Sequence, residues 1–192
     1  MFIKDWKKEI FTIPNLLSLF RLLLIPVYIS IYLNARDSWD YIMAASILAV
    51  SCLTDMIDGQ IARRFNQISN LGKLLDPIAD KTTQLALVVC LSIRYPILRY
   101  VLAVFLAKEF FQLFAAVAKF RKGKALPGAI LAGKVCTTVL FVSLIVLVLL
   151  PNLDIRIVNI IAMIDFCFLC YTFVRYFFAF FGKNSKVEDL DL

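Results

Sequence analysis

The chain has 192 residues, of which 61% are hydrophobic and 18% are charged, whereas soluble domains are about half apolar and about a quarter charged. A soluble core of this size could not bury so much apolar surface, so the composition predicts an integral membrane protein. The net charge of +7 favours an anionic membrane surface over nucleic acid as a partner, because Lys and Arg lie mainly between apolar spans.

The N-terminal residues 1–12 alternate apolar and charged residues at helical spacing and predict a short amphipathic helix at the membrane interface. For the first few residues, a frayed terminus is the alternative. The apolar span that follows is too long for a signal peptide and contains Arg21, so we expect it to remain as a membrane helix.

Six apolar spans follow, each near the roughly 20 residues that cross a bilayer. We place them near Ile13–Leu33, Trp39–Arg63, Leu74–Ile93, Ile97–Lys119, Gly128–Leu150 and Ile155–Phe181. The connections are short, so we predict an all-α membrane protein with six transmembrane helices in a single domain covering residues 1–192. Residues 183–192 form a polar tail, and the Lys/Arg bias of the loops predicts that both termini are cytoplasmic.

The chain contains five Cys and no His. The lack of His excludes Ser-His-Asp and Cys-His catalysis and every His-ligated metal site. All five cysteines fall in or near apolar segments, and the pair Cys167 and Cys170 has no second pair to complete a zinc site. We therefore interpret the cysteines as helix-packing residues rather than as disulfides or metal ligands.

Four aspartates lie in the second and third spans at helical spacing. Asp55 and Asp58 are three residues apart, and Asp76 and Asp80 are four apart, so each pair shares one helix face. The short connection makes the two spans antiparallel neighbours, which predicts that the four carboxylates converge just inside the cytoplasmic membrane boundary.

Four buried negative charges need a counter-charge, because burial and mutual repulsion both disfavour them. Oxygen-only ligands suit Mg²⁺, Mn²⁺ or Ca²⁺, which predicts a divalent metal site. Ion pairs with nearby Arg63, Arg64, Lys73 and Lys81 are the structural alternative.

Small residues and a cation surround these acids. Gly59 and Ala62 share the face of Asp55 and Asp58, and Gly72 lies one turn before Asp76. They would admit either a bulky ligand or a close helix neighbour. Arg63 is suited to binding phosphate.

The stretch from Asp55 to Arg63, then eight residues, then Gly72 to Asp80 resembles the signature of the CDP-alcohol phosphotransferases. All eight fixed positions of that signature are present at the right spacing. The six-span layout and the opening IPNLLSLFRLLLIP are also similar to the family.

The resemblance implies a division of roles among the signature residues. Asp55, Asp58, Asp76 and Asp80 would hold two divalent ions, Mg²⁺ or Mn²⁺, and Asp80 would be the general base. The CDP part of the donor would be bound by Asp55, Gly59, Ala62, Arg63 and Gly72. The resemblance also implies a homodimer in a bacterial cell membrane, with CDP-diacylglycerol as donor, a small or lipid alcohol as acceptor and the site facing the cytoplasm.

The acceptor is less constrained by the sequence than the donor. Lys108 and Lys134 could bind a phosphate-bearing acceptor, as in the glycerol-3-phosphate branch of the family, whereas snorkelling to the interface is the alternative for each. That branch typically has another Arg about two turns after Lys108, but this chain has Ala115, Ala116 and Ala118 in that region. The branch of the family that uses phosphatidylglycerol as acceptor is therefore an alternative.

Two non-enzymatic classes compete with this interpretation. A cation transporter or channel predicts acids spread across the bilayer depth, whereas these acids lie at one end of their spans. A purely structural scaffold predicts that Asp80 can be replaced by Asn without consequence.

Overall fold

The computed structural model describes residues 13–64, 72–121 and 131–181, and these residues form six helices. The helices are α1 Ile13–Asn34, α2 Ser38–Arg64, α3 Gly72–Arg94, α4 Leu98–Arg121, α5 Leu131–Leu149 and α6 Ile155–Phe181. The proposed interfacial helix at 1–12 and the tail at 183–192 lie outside the described residues. The all-α prediction is confirmed for the described part of the chain.

Three of the described helices are long and apolar enough to cross a membrane. Their candidate spans are Asn15–Asn34, Leu98–Ala118 and Ile155–Phe180. Shorter apolar stretches occupy Ser38–Thr54 and Gly133–Leu149. The structure therefore supports a helical membrane protein, and the count of six spans stays a prediction.

The distribution of side chains is that of a protein surrounded by lipid. Large apolar residues point outward: Leu23, Phe110 and Met163 each expose 67% of their surface. Arg21 and Lys108, by contrast, are almost completely buried. Ionisable residues inside and apolar residues outside are what a hydrocarbon solvent favours.

The helix ends follow from local chemistry. Asp40 lies in the first turn of α2, and its carboxylate accepts hydrogen bonds from the backbone N–H groups of Arg36 and Asp37 at 2.8 and 3.2 Å. Asp154 precedes α6 and accepts the N–H of Arg156 at 2.8 Å. The Asp40 side chain thus reaches back to the residues that lead into α2, whereas Asp154 satisfies an N–H group in the first turn of α6 that has no partner in the helix. α3 ends at Arg94, two residues before Pro96.

The described backbone divides into two compact units. The first unit comprises Met1–Leu91 and Ile145–Asn152, and the second comprises Ser92–Leu144 and Leu153–Leu192. The prediction of a single domain remains a prediction.

In the first unit, α1 packs against α2. The buried Ala44 and Ala45 of α2 are small enough for a close helix approach. Near the loop that joins the two helices, the rings of Tyr32 and Tyr41 meet edge to face at 5.5 Å. These contacts place the polar face of α1, described below, at a fixed position in this unit.

In the second unit, α4 packs against α6 through aromatic rings. Phe111 contacts Phe173, Phe177 and Phe180, with ring centroids 5.5 to 5.8 Å apart. A hydrogen bond of 2.6 Å from the Ser143 hydroxyl to Asp165 joins α5 to α6. Asp165 therefore makes an internal polar contact, which is the ordinary structural explanation for an acid within a membrane span.

All five cysteines are free thiols, and Cys167 and Cys170 are not joined to each other. This confirms the interpretation that the chain has no disulfide framework.

Gly133 of α5 allows a close contact with α6. A Cβ atom built on Gly133 would overlap the hydroxyl group of Tyr176. We expect Gly133→Leu to destabilise the protein by about 1–3 kcal/mol, because a large side chain overpacks this contact by more than a shift of the Tyr176 hydroxyl end can relieve. Gly133→Ala should cost less, since Tyr176 can shift away from one methyl group and Ala is the better helix former by about 1 kcal/mol. Thermal unfolding in detergent measures the effect, and Tyr176→Leu in the Gly133→Leu chain should recover part of the loss. Equal melting temperatures for Gly133→Leu and the unaltered protein would contradict the contact.

Candidate active site

Three polar residues form a stripe along one face of α1. Asn15, Ser18 and Arg21 follow one another at three-residue spacing, and each is at most 2% exposed. Side chains three apart lie on the same helix face. A buried polar stripe in an otherwise apolar span needs hydrogen-bonding partners on neighbouring helices.

The partners of this stripe lie on the first turns of α3. The Ser18 hydroxyl donates to Asp76 Oδ1 at 2.5 Å, and the Arg21 guanidinium donates to Asp80 Oδ1 at 2.6 Å. Ser18 precedes Arg21 in α1, and their partners Asp76 and Asp80 follow in the same order in α3. The two helices therefore run parallel where they meet. The two contacts therefore fix two of the four predicted aspartates against α1.

Asp76 and Asp80 remain accessible to a ligand. Asp76 is half-buried, and 51% of the Asp80 side chain is exposed although its partner Arg21 is buried. The hydrogen bond from the buried Arg21 guanidinium holds the orientation of the Asp80 carboxylate, and the exposed part of that carboxylate faces outward. Both acids thus combine a fixed position with access from outside.

For the other signature residues the structure describes only the backbone. α2 is helical through Arg64, so Asp55, Asp58, Gly59 and Ala62 share one face of it. Gly72 is the first residue of α3. The side chains of these residues and of Arg63 lie outside the described part of the chain, so the convergence of the four aspartates stays a prediction.

Among the described side chains, no group of three or more His, Cys, Asp or Glu lies close enough together to hold a metal ion. Asp55 and Asp58 are not among those side chains. The donor chemistry of the described pair nevertheless fits a hard cation, because both Asp76 and Asp80 supply carboxylate oxygens at an accessible position.

The two lysines predicted to bind the acceptor have different surroundings. Lys108 of α4 is 1% exposed and forms an ion pair of 2.6 Å with Glu109. It also lies 3.4 Å from the amide oxygen of Gln112. Lys134 of α5 is exposed, and its backbone carbonyl accepts hydrogen bonds from Thr137 and Thr138. Lys134 is therefore accessible to a soluble anion as it stands, whereas Lys108 is held in an internal pair.

Sequence reasoning noted Arg21 within the first span but missed Ser18. A charge within a membrane span is expected to face neighbouring helices, and the ion pair of Arg21 with Asp80 shows that it does. Ser18 was not singled out, although the three-residue spacing of Asn15, Ser18 and Arg21 is visible in the sequence.

These observations define a helical membrane protein with buried cationic and hydroxyl side chains that orient accessible carboxylates. The profile of the CDP-alcohol phosphatidyltransferase family matches residues 11–174, so the chain belongs to this family. The match confirms the resemblance read from the aspartate signature.

Relatives with two different names are similar to the chain. The CMP-forming cardiolipin synthase of Streptomyces coelicolor is 36% identical over 135 residues, which cover 67% of this chain and 61% of that protein. The CDP-diacylglycerol–glycerol-3-phosphate 3-phosphatidyltransferase of Escherichia coli K12 is 45% identical over 71 residues, or 37% of this chain and 38% of that protein. The enzyme of that name from Pseudomonas fluorescens is 44% identical over 69 residues, or 36% of this chain and 35% of that protein. The matched segments thus span less than two thirds of these relatives.

Proposed function

We propose that this protein transfers the phosphatidyl group of CDP-diacylglycerol to the hydroxyl group of an alcohol and releases CMP. The observation that carries the proposal is the pair of aspartates, Asp76 and Asp80, that α1 holds in place within the family signature. The family match and the confinement of the signature acids to one end of their helices favour this transferase over a cation transporter or channel.

In this proposal Asp80 is the general base. Its exposed carboxylate takes the proton of the acceptor hydroxyl, whose oxygen then forms a bond to the phosphorus of the phosphatidyl group. The bond from that phosphorus to the bridging oxygen breaks, and CMP leaves with the bonding electron pair. The contact with Arg21 holds the carboxylate where the proton must be received.

The remaining signature residues would bind the donor and two divalent ions. Asp55, Asp58, Asp76 and Asp80 would hold Mg²⁺ or Mn²⁺, and ions bound there would neutralise the diphosphate and stabilise the departing CMP. Gly59, Ala62 and Gly72, which have small or no side chains, would let the CDP part approach the backbone. Asp55 and Arg63 would contact the CDP part, Arg63 through phosphate.

For the acceptor we propose glycerol 3-phosphate, which gives phosphatidylglycerophosphate. The exposed Lys134 supports this choice, because a phosphate monoester needs a cation to bind it. Lys108 is the second proposed contact and would have to exchange its pair with Glu109 for the substrate.

Phosphatidylglycerol is the alternative acceptor, which would make the chain a cardiolipin synthase. The observation that favours it is the length of the Streptomyces coelicolor match, which covers 67% of this chain against 37% for the Escherichia coli match.

An acceptor panel tests the function and separates the two acceptors. Purified protein is incubated with CDP-diacylglycerol labelled in the cytidine, with Mg²⁺ or Mn²⁺, and with glycerol 3-phosphate, phosphatidylglycerol, inositol phosphate or serine. CMP release that depends on glycerol 3-phosphate supports the main proposal, and release that depends only on phosphatidylglycerol supports the alternative. No acceptor-dependent release with any of them, from folded protein, would count against both.

The accessible lysine gives a second prediction. We expect Lys134→Gln to raise the KM for glycerol 3-phosphate about tenfold or more, because a charge-assisted contact to the phosphate is lost. The KM for CDP-diacylglycerol should stay unchanged, and Lys134→Arg should restore most of the affinity. Steady-state kinetics with each substrate varied in turn measures the effect. An unchanged KM for glycerol 3-phosphate would remove Lys134 from the acceptor site.

We further propose that the protein is a homodimer in the bacterial cell membrane, with both termini and the site facing the cytoplasm. The excess of Lys and Arg in the loops on that side supports the orientation.

A further inference from the structure

A cavity of about 570 Å³ lies where α4 and α6 begin. Its volume falls within the roughly 300–1,000 Å³ of typical small-molecule sites. The lining consists of Pro96, Ile97, Arg99, Tyr100, Ile155 and Asn159. No step of the proposed transfer reaction uses these residues.

The cavity lies at a membrane boundary. The apolar candidate spans of α4 and α6 begin at Leu98 and Ile155, so both helices enter the hydrocarbon beside it. The turn that contains Pro96 follows the last residue of α3, whereas Asp76 and Asp80 lie in the first turns of that helix. The six-span topology predicted from the sequence puts this turn on the non-cytoplasmic side.

The walls of the cavity combine an anion-binding group with apolar surface. Arg99 is exposed, and its guanidinium presents paired donors that match a phosphate group. Among the described residues, no acid forms an ion pair with Arg99. Asn159 adds an amide donor, and Tyr100 and Ile155 are 66% and 54% exposed.

The surrounding charge is positive. Residues 94–100 and 154–159 contain three arginines, Arg94, Arg99 and Arg156, and one acid. That acid is Asp154, whose carboxylate accepts the N–H of Arg156 at the start of α6. Basic groups at a membrane boundary attract anionic lipid headgroups.

We propose that this cavity binds an anionic phospholipid, with its phosphate on Arg99 and Asn159 and its acyl chains along the exposed apolar faces of α4 and α6. A soluble phosphate ester would use Arg99 but would leave the apolar walls in contact with water. A zwitterionic lipid carries no net charge, so the positively charged rim would not attract it. The combination of walls and charge therefore selects an anionic lipid.

Lipid binding to the purified full-length chain tests the proposal. The probe is phosphatidylserine, because it is neither donor nor acceptor in either proposed reaction, and phosphatidylcholine is the zwitterionic comparison. Delipidated protein in detergent is titrated with each lipid, and bound lipid is counted by native mass spectrometry. We expect phosphatidylserine to bind and Arg99→Gln to weaken that binding about tenfold or more.

The matched control is Arg156→Gln, which removes an exposed arginine at the same boundary that does not line the cavity. It should bind phosphatidylserine like the unaltered protein. A second variant, Asn159→Trp, should fill the cavity and also weaken binding while leaving Arg99 in place. Both cavity variants should keep their acceptor-dependent CMP release, which shows that they are folded and that the site is separate from the reaction.

Three results would overturn the proposal. Arg99→Gln could bind phosphatidylserine as tightly as the unaltered protein, or Arg156→Gln could lose as much binding, which would mean nonspecific attraction to the boundary. Displacement of the lipid by millimolar inorganic phosphate would assign the cavity to a soluble anion instead.

Discussion

Replacing Asp80 with Asn is expected to slow CMP release from CDP-diacylglycerol by about 100- to 10,000-fold, the usual contribution of a general base. Asn has almost the same shape, and its amide oxygen can still accept the hydrogen bond from Arg21. The amide cannot take a proton from the acceptor hydroxyl at neutral pH. The loss should therefore appear in kcat, measured at saturating concentrations of both substrates.

Asp165→Asn is the matched control for this variant. Asp165 is another aspartate within a helix, but it lies outside the signature and accepts a hydrogen bond from Ser143. The same chemical change there should leave turnover close to that of the unaltered protein. If folded Asp80→Asn turned over at the unaltered rate, Asp80 would have no part in the mechanism.

The helices could be predicted closely from the sequence because apolar length and loop chemistry determine where they end. The last span was placed at Ile155–Phe181, which is the observed α6. The fifth was placed at Gly128–Leu150, and the described helix runs from Leu131 to Leu149. Short polar connections mark the ends of most spans.

The partners of the polar side chains could not be predicted in the same way. Arg21 and Asp80 are 59 residues apart, and Ser18 and Asp76 are 58 apart. Helical spacing indicates which residues share a face, but it does not show which face of one helix meets which face of another. The burial of Arg21 could be expected from the energetic cost of a charge in lipid, and the identity of its partner needed the structure.

The candidate site was predictable at the level of residue types for a different reason. Aspartates at helical spacing beside Gly and Arg form a pattern that simple packing of apolar helices does not require. The same reasoning gave a weaker result for the acceptor, since a lone Lys near a membrane boundary has several ordinary roles. The structure distinguishes the two candidate acceptor-binding lysines, because Lys108 lies in an internal ion pair and Lys134 lies at the surface.

The second large effect is expected at Arg21, which we interpret as a positioning residue for Asp80. Arg21→Leu removes the donor that holds the Asp80 carboxylate at 2.6 Å, and the carboxylate is then free to turn away from the acceptor. A displacement of about 1 Å at a reacting group can lower the rate about 100-fold, so we expect a loss of that size in kcat. Because Asp80 is half exposed and stays solvated, the loss of stability should be smaller than the about 3–5 kcal/mol of a fully buried pair.

A double-mutant cycle distinguishes positioning from a general weakening of the fold. If Arg21 acts through Asp80, Arg21→Leu combined with Asp80→Asn should be no slower than Asp80→Asn alone. Arg21→Lys should recover part of the rate, since an ammonium can still donate to the carboxylate. Arg175→Leu, which removes an exposed arginine of α6, should have little effect. Losses in rate that multiply in the double variant would show that Arg21 acts independently of Asp80, for instance by contacting the donor itself.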